Sequence, residues 1–214
     1  MIIGINGKIG SGKDTIGLII QGLLLTSKNE LSEIKKFAGK LKTVATLLTG
    51  IPVEKFEDQD FKMTNLGPEW ARPFYDKESN VHYETITVRK FLQLLGTECM
   101  RMGLHVNTWV NALFADYIPV VKEWDELGND TLLEYPNWII TDMRFPNEMD
   151  AVVERKGITI RVTRPVKKSE TTPRLHPSET SLDNAEFDYE IINDGTLEDL
   201  VEKVRQILIK EGVI

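Results

Sequence analysis

The sequence predicts an α/β fold in which a parallel sheet is sandwiched by helices. Three observations carry that reading. An apolar run with Ile2, Ile3 and Ile5 empties into a glycine-rich loop ending at Lys13. Ile16, Ile19, Ile20, Leu23 and Leu24 then recur at helical spacing. Later apolar runs alternate with further stretches of helical period, so that five strands are expected in all.

The first fifteen residues, MIIGINGKIGSGKDT, decide the chemistry. Gly7, Gly12 and Lys13 fit the phosphate-loop pattern G-x-x-x-x-G-K, with Asp14 where Ser or Thr is usual and Thr15 just after it. A triphosphate is wrapped by backbone N–H groups that only small, conformationally free residues bring close. The helix opening near Gly12 adds its positive end, and Lys13 a mobile charge for the outer phosphates. Gly7, Lys8, Gly10, Ser11, Gly12, Lys13, Asp14 and Thr15 are therefore the expected nucleotide-binding residues. The plainer alternative is a glycine-rich turn with an incidental lysine, and the strand before the loop weighs against it. At Asp14 a carboxylate replaces the usual hydroxyl; it can ligate Mg²⁺ directly or through water. Thr15 supplies a hydroxyl one residue late.

Downstream, 34–38 reads as the second strand, and Leu41, Val44, Ala45 and Leu48 mark a helix stopped by Gly50 and Pro52. The stretch 54–82 is charged, carries Pro68 and Pro73, lacks periodicity and reads as an irregular substrate-side insertion. Val88, Phe91, Leu92, Leu95, Cys99 and Met102 form one apolar stripe, with Arg89, Gln93 and Thr97 as a polar ridge beside it and Arg101 further round. That ridge alone would pass for a solvated helix face. Residues 106–117 read as another helix. Trp138, Ile139, Ile140 and Thr141 look like a central strand ending in DMRFPNE. Polar residues beyond a parallel strand lie where open α/β sheets bind ligands, which makes Asp142, Arg144 and Glu148 candidates. Asp142 suits a metal, and the planar fork of Arg144 suits a phosphate; an ordinary Asp–Arg turn is the structural alternative. A helix with Met149, Val152 and Val153 leads to a strand through Ile158, Ile160 and Val162. Arg164, Lys167, Lys168 and Arg174 then gather among prolines, as in a lid closing over phosphates or in a solvent-facing loop. Tyr189, Ile191 and Ile192 make the last strand, and Thr196 with Asp199 caps the final helix.

The chain has 214 residues and a net charge of −7, which weighs against a protein that clamps a nucleic-acid backbone. Its single cysteine, Cys99, allows no internal disulfide and reads as a buried packing residue. The three histidines are scattered and suggest no metal cluster. No apolar run is long enough to span a bilayer and no signal peptide opens the chain, so a cytoplasmic location is expected.

With these residues in hand, the chain resembles the phage-type deoxynucleoside monophosphate kinases, a branch of the P-loop kinases. The resemblance rests on GKIGSGKDT (7–15), FAGKLK (37–42), VRKFLQLLGTECMR (88–101), TDMRFPNE (141–148) and HPSE (176–179). It implies a three-layer P-loop kinase sandwich with a five-stranded parallel sheet. A substrate-side helical region would occupy about 37–117 and a lid about 164–180. It also implies transfer of the ATP γ-phosphoryl group to a deoxynucleoside monophosphate with Mg²⁺, in the host cytoplasm if the chain is phage-encoded. Lys13 and the loop from Gly7 would hold ATP, and Asp14 and Asp142 would serve the metal. Lys13, Asp142, Arg144 and Glu148 would form the catalytic centre. Arg89, Gln93, Arg101 and Arg144 would contact the acceptor, with Lys42 on a substrate-side turn, and Arg164 and Arg174 would be lid arginines. The expected partners are the two nucleotides, without nucleic acid or membrane and with homodimerisation left open.

Elementary chemistry agrees. Phosphoryl transfer through a loose transition state needs alignment and positive charge more than covalent help. The acceptor phosphate is already ionised near neutral pH, which casts Glu148 as an orienting group rather than a base. Rival readings are a kinase of the dephospho-coenzyme A or phosphomevalonate type, an ATP-dependent switch or binding module, and a polynucleotide 5′-kinase.

Overall fold

In a computed structural model, residues 1–124, 130–165 and 180–214 are described. In chain order they form β1 (Ile2–Gly7), α1 (Lys13–Lys28), β2 (Ser32–Lys35), α2 (Phe37–Thr49), α3 (Gln59–Met63), β3 (Arg72–Tyr75) and β4 (Val81–Glu84). Next come α4 (Val88–Gln93), a π-helical stretch (Leu94–Met102), α5 (Thr108–Phe114), β5 (Val120–Trp124) and β6 (Asp130–Glu134). β7 (Asn137–Ile140), α6 (Pro146–Val153), β8 (Ile158–Thr163), β9 (Tyr189–Ile192) and α7 (Leu197–Lys210) complete the chain. Two units result, one of Met1–Phe37 with Val110–Ile214, the other of Ala38–Trp109.

The first unit is built on a five-stranded sheet in the order β2-β7-β1-β8-β9. Every pairing is parallel, with Ile3 opposite Ile139 on one side and Ile158 on the other. Alternation along β1 sorts the layers. Ile3 and Ile5 join Ile16, Ile20, Leu24, Val204 and Leu208 in the core under α1 and α7. Gly4 faces α6, where an added Cβ would lie 3.1 Å from both Met143 and Val152. Helices therefore cover both faces of the sheet, as the pattern predicts. Because all five strands run the same way, their carboxyl ends share one edge, and the segments beyond Gly7, Lys35, Ile140, Thr163 and Ile192 all begin there. At the other end of the chain's logic, the Thr196–Asp199 capping box opens α7, with Thr196 Oγ1 accepting the Asp199 N–H at 3.2 Å.

The second unit has its own core of Ala45, Phe56, Leu66, Ile86, Val88, Phe91 and Leu95. Three expectations are corrected across the two units. The second strand lies at Ser32–Lys35, not 34–38, because Phe37 already starts α2. The helix over 88–102 is not uniformly α: its later part widens to i→i−5 bonding, with Gly103 N donating to Glu98 O at 3.0 Å. That change of period takes Cys99 out to solvent and leaves Met102 75% exposed, while Arg101 is buried. The apolar stripe thus ends at Leu95, and Cys99 is no packing residue. The third correction concerns 54–82, which is not irregular throughout. It holds α3 and the β3–β4 hairpin, whose turn is tied by Asp76 accepting Glu78 N–H and Asn80 N–H, each at 2.9 Å. Hydrogen bonds from His82 and Asn80 draw the Asp76 carboxyl down to about 2.

A second hairpin, β5–β6, which the sequence pattern does not mark, lies in the first unit. No helix among the described residues is long and apolar enough to cross a membrane.

Candidate active site

β1 delivers the chain to the carboxyl edge at Gly7, where a side chain could not fit: an added Cβ would sit 2.4 Å from Ser11 Oγ and 2.8 Å from Val162 O. The loop then folds back on itself. Ser11 N–H donates to Lys8 O at 3.1 Å, and Gly10 and Gly12 adopt φ of 76° and 98°, the left-handed region that glycine enters without Cβ strain. Ile16 N–H donates to Gly12 O at 3.0 Å, which opens α1 with Lys13 as its first residue. Ser11 is buried, and its Oγ has no hydrogen-bond partner among the described residues. A hydroxyl so placed is costly unless a ligand oxygen meets it. The loop thus has the composition, backbone and unsatisfied donor of a phosphate cradle.

Asp14 stands in the first turn of α1. Its Oδ1 accepts Thr141 Oγ1–H at 2.9 Å and faces Lys36 Nζ at 3.1 Å. Burial pushes its carboxyl up, but the Thr141 hydroxyl, the Lys36 ammonium and Lys13 together hold it below the usual carboxylate range. The side chain is nevertheless 61% exposed, so it is an ionised carboxylate with access to solvent. The helix comes this close to β7 because residue 17 is glycine; a Cβ there would lie 2.6 Å from Thr141 Cγ2.

Beyond β7, the DMRFPNE segment is tied down twice. Met143 N–H donates to Ile5 O at 3.2 Å and Asn6 Nδ2–H to Met143 O at 2.8 Å. Asp142 is only 8% exposed and its Oδ1 accepts the Phe37 N–H at 2.7 Å, supporting the start of α2. Glu148 is buried too, and its Oε2 accepts the backbone N–H groups of Arg144 at 2.7 Å and Phe145 at 3.1 Å. It therefore sets the backbone from which Arg144 projects and covers two amides ahead of α6.

Thr141, Lys36 and Asn193 are the residues that sequence reasoning missed. Asn193 follows β9, and its Nδ2–H donates to Ser11 O at 2.9 Å. Its only signal was the Asn-Asp-Gly run, which reads as a turn. Lys8, expected to bind nucleotide, has its ammonium on Asp183. Asp183 belongs to a segment held by Arg161, which donates to Leu182 O at 2.5 Å and Ala185 O at 2.9 Å.

Four expected acceptor-side residues lie in the second unit. Lys42 is a buried residue of α2 whose Nζ reaches Glu57 Oε1 at 2.5 Å, so its placement on a turn is corrected to a helix. Arg89 donates to Gln59 Oε1 at 3.0 Å, and Gln93 ends α4 half-buried. Arg101 is buried and donates to Val106 O at 3.2 Å. Arg164 is exposed just beyond β8, at the edge that bears the loop. Arg174 and the HPSE block, with most of the expected lid, lie outside the described residues.

A divalent cation fits the chemistry of Asp14. Among the described residues no three His, Cys, Asp or Glu side chains converge as a metal cage. Mg²⁺ in nucleotide sites asks for less, typically one or two carboxylates with phosphate oxygens and water. Asp14 meets that need better than Asp142, which is buried and has Oδ1 on an amide.

A family model of deoxynucleotide monophosphate kinases matches residues 52–204. The deoxynucleoside-5′-monophosphate kinase of Escherichia phage T5 is 26% identical over 90% of this chain and 89% of its own length. The deoxynucleotide monophosphate kinase of Enterobacteria phage T4 is 32% identical over 57% of this chain and 45% of its own. Among solved structures, shikimate kinase from Aquifex aeolicus aligns over 99% of this chain and 98% of its own, with 12% identity and a TM-score of 0.43.

Proposed function

The chain belongs to the deoxynucleotide monophosphate kinase family and is a phosphotransferase on deoxynucleoside monophosphates, and from that premise we propose how its residues divide the work. The carrying observation is the loop 7–13, with Gly10 and Gly12 in the left-handed region and the buried Ser11 hydroxyl without a partner among the described residues, on the first turn of α1. ATP is the donor whose β- and γ-phosphates this cradle takes.

Lys13, at the helix start, follows the transferring phosphoryl group and balances the charge on its oxygens. Asp14 is the metal-side carboxylate, kept ionised by Thr141, Lys36 and Lys13. Mg²⁺, with Asp14 as its carboxylate, would supply positive charge that neutralises the donor phosphates. Asp142 backs this carboxylate by holding the turn between Phe37 and β7. Arg144 grips a phosphate with its planar fork, and Glu148 orients it through the backbone rather than by removing a proton. The acceptor phosphate oxygen attacks the γ-phosphorus, the bond to the bridging oxygen of ADP breaks, and ADP leaves with that electron pair. Lys42, Arg89, Gln93 and Arg101 are proposed for the acceptor nucleotide, and Arg164 and Arg174 for closure over the phosphates. Net charge of −7 supports a small nucleotide rather than a polynucleotide as acceptor.

A panel of deoxy and ribo monophosphates with ATP and Mg²⁺, read by ADP release, tests this function. ADP release that depends on a deoxynucleoside monophosphate supports it. Slow ATP hydrolysis indifferent to every monophosphate would support a switch instead. Activity confined to dephospho-coenzyme A or phosphomevalonate would move the chain to another acceptor.

A further inference from the structure

We infer that Asn193 is a positioning residue for phosphoryl transfer, fixing the Ser11–Gly12 peptide so that the Gly12 N–H is presented to the donor phosphates. The inference deepens the phosphate-loop reading and rests on it. It begins with the planarity of the peptide bond. In a trans peptide the carbonyl oxygen and the following N–H point in opposite directions, so anchoring one aims the other. No peptide among the described residues is cis, and the Ser11 carbonyl is anchored by Asn193 Nδ2–H at 2.9 Å across 182 residues of sequence.

The loop needs such an anchor because of its glycines. Gly12 at φ 98°, ψ 13° has access to far more backbone conformations than any other residue, and Gly10 at φ 76° loosens the peptide chain two residues earlier. A rotated Ser11–Gly12 peptide would turn a carbonyl oxygen toward the phosphates and convert attraction into repulsion. The same glycine that makes rotation cheap makes room for the brace. A Cβ on Gly12 would lie 2.4 Å from Asn193 Nδ2.

Asn193 is itself held from three sides. Its backbone N–H donates to Thr163 O at 2.8 Å, which ties it to the end of β8. Lys203 Nζ, from α7, donates to Ile192 O at 2.7 Å and to Asp194 Oδ1 at 2.9 Å, clamping the residues on either side. The brace therefore connects the sheet edge and α7 to the Ser11–Gly12 peptide. Only an amide performs this task at this size. An aspartate in its place has the same shape, no N–H to give and a negative charge against the Ser11 carbonyl.

The test compares the wild type with Asn193→Asp and Asn193→Ala. Calorimetry measures binding of inorganic tripolyphosphate, ATP and adenosine, and steady-state kinetics separate the two nucleotide substrates. For Asn193→Asp the expected result is a tenfold or larger rise in Kd for tripolyphosphate and ATP and a lower kcat. Adenosine binding and the KM for the deoxynucleoside monophosphate should stay within twofold. Asn193→Ala, which removes the donor without adding charge, should show the same pattern with a smaller loss, and faster hydrogen exchange at the Gly12 amide when both proteins are saturated with tripolyphosphate. Tripolyphosphate binding within twofold of wild type in both variants would overturn the brace alone. So would an equal weakening of adenosine and tripolyphosphate, the mark of general damage. A wild type that binds adenosine but no tripolyphosphate would overturn the brace and the phosphate-loop reading together.

Discussion

Gly12→Ala probes the loop through stability, independently of turnover. Gly12 sits at φ 98°, and holding an L-residue in the left-handed region costs about 1–2 kcal/mol. The new Cβ would also meet Asn193 Nδ2 at 2.4 Å. Asn193 is flanked by clamped residues, so its side chain yields by swinging away and losing the bond to Ser11 O, worth about 0.5–1.5 kcal/mol. A helix-propensity gain does not offset this, because Gly12 is the N-cap of α1 and not an interior residue. The expected loss is about 1.5–3.5 kcal/mol, measured by equilibrium urea unfolding. In an Asn193→Ala background the hydrogen bond is already gone, so Gly12→Ala should cost only the backbone part. The two substitutions should therefore be non-additive by about 0.5–1.5 kcal/mol. A Gly12→Ala protein within about 0.5 kcal/mol of wild type, an error scale typical of such cycles, would refute the backbone reasoning. Strict additivity would refute the contact with Asn193.

Four further outcomes follow from the site. Lys13→Ala should lower kcat by roughly 10²-fold or more, as loss of other preorganised charge-stabilising donors does, with the unfolding transition unchanged; near-normal turnover would remove the lysine from the mechanism. Arg144→Lys keeps the charge but not the fork, and should impair transfer while ATP binding by calorimetry survives. Glu148→Ala leaves two backbone N–H groups without their carboxylate and should destabilise by about 2–3 kcal/mol, whereas Glu148→Gln, which still accepts, should lose much less in the same unfolding assay. Asp14, held below the usual carboxylate range, contributes stability that is present above its unfolded pKa and lost as pH falls through the lowered folded value. Its exposure limits that contribution to below about 1 kcal/mol. Asp14→Asn should flatten this acid limb in pH-dependent unfolding and weaken Mg²⁺-dependent turnover more than metal-free nucleotide binding. Overlapping Mg²⁺ curves would sink the metal role.

The parallel sheet was legible because a strand carries its signature in a few adjacent residues: Ile2 to Ile5, Trp138 to Ile140 and Ile158 to Val162 each announce themselves. So was the glycine loop after β1, where Gly10 and Gly12 take up the left-handed dihedrals that glycine enters without strain. Two kinds of feature were not. Period changes inside an apolar stripe are invisible to a 3.6-residue template, which is why it places Cys99 and Met102 on the packed face that the π-helical turns take them from. The β3–β4 hairpin escapes for a related reason: every residue of its two strands is exposed, so no alternation of apolar and polar faces records it. The second kind is any contact made at the sheet edge by residues distant in sequence. Thr141 and Lys36 control the charge of Asp14, and Asn193 holds Ser11, only because parallel strands bring their ends to one place. Their residue types carry no mark of these partners.

The central claim is that this loop delivers the γ-phosphoryl group to a deoxynucleoside monophosphate. The most direct measurement incubates γ-labelled ATP and a deoxynucleoside monophosphate with Mg²⁺ and either wild type or Lys13→Ala, then separates the products. Label on the β-phosphate of the deoxynucleoside diphosphate, with wild type and not with the folded variant, is the predicted result. Label recovered only as inorganic phosphate, or transfer undiminished by loss of Lys13, would contradict it.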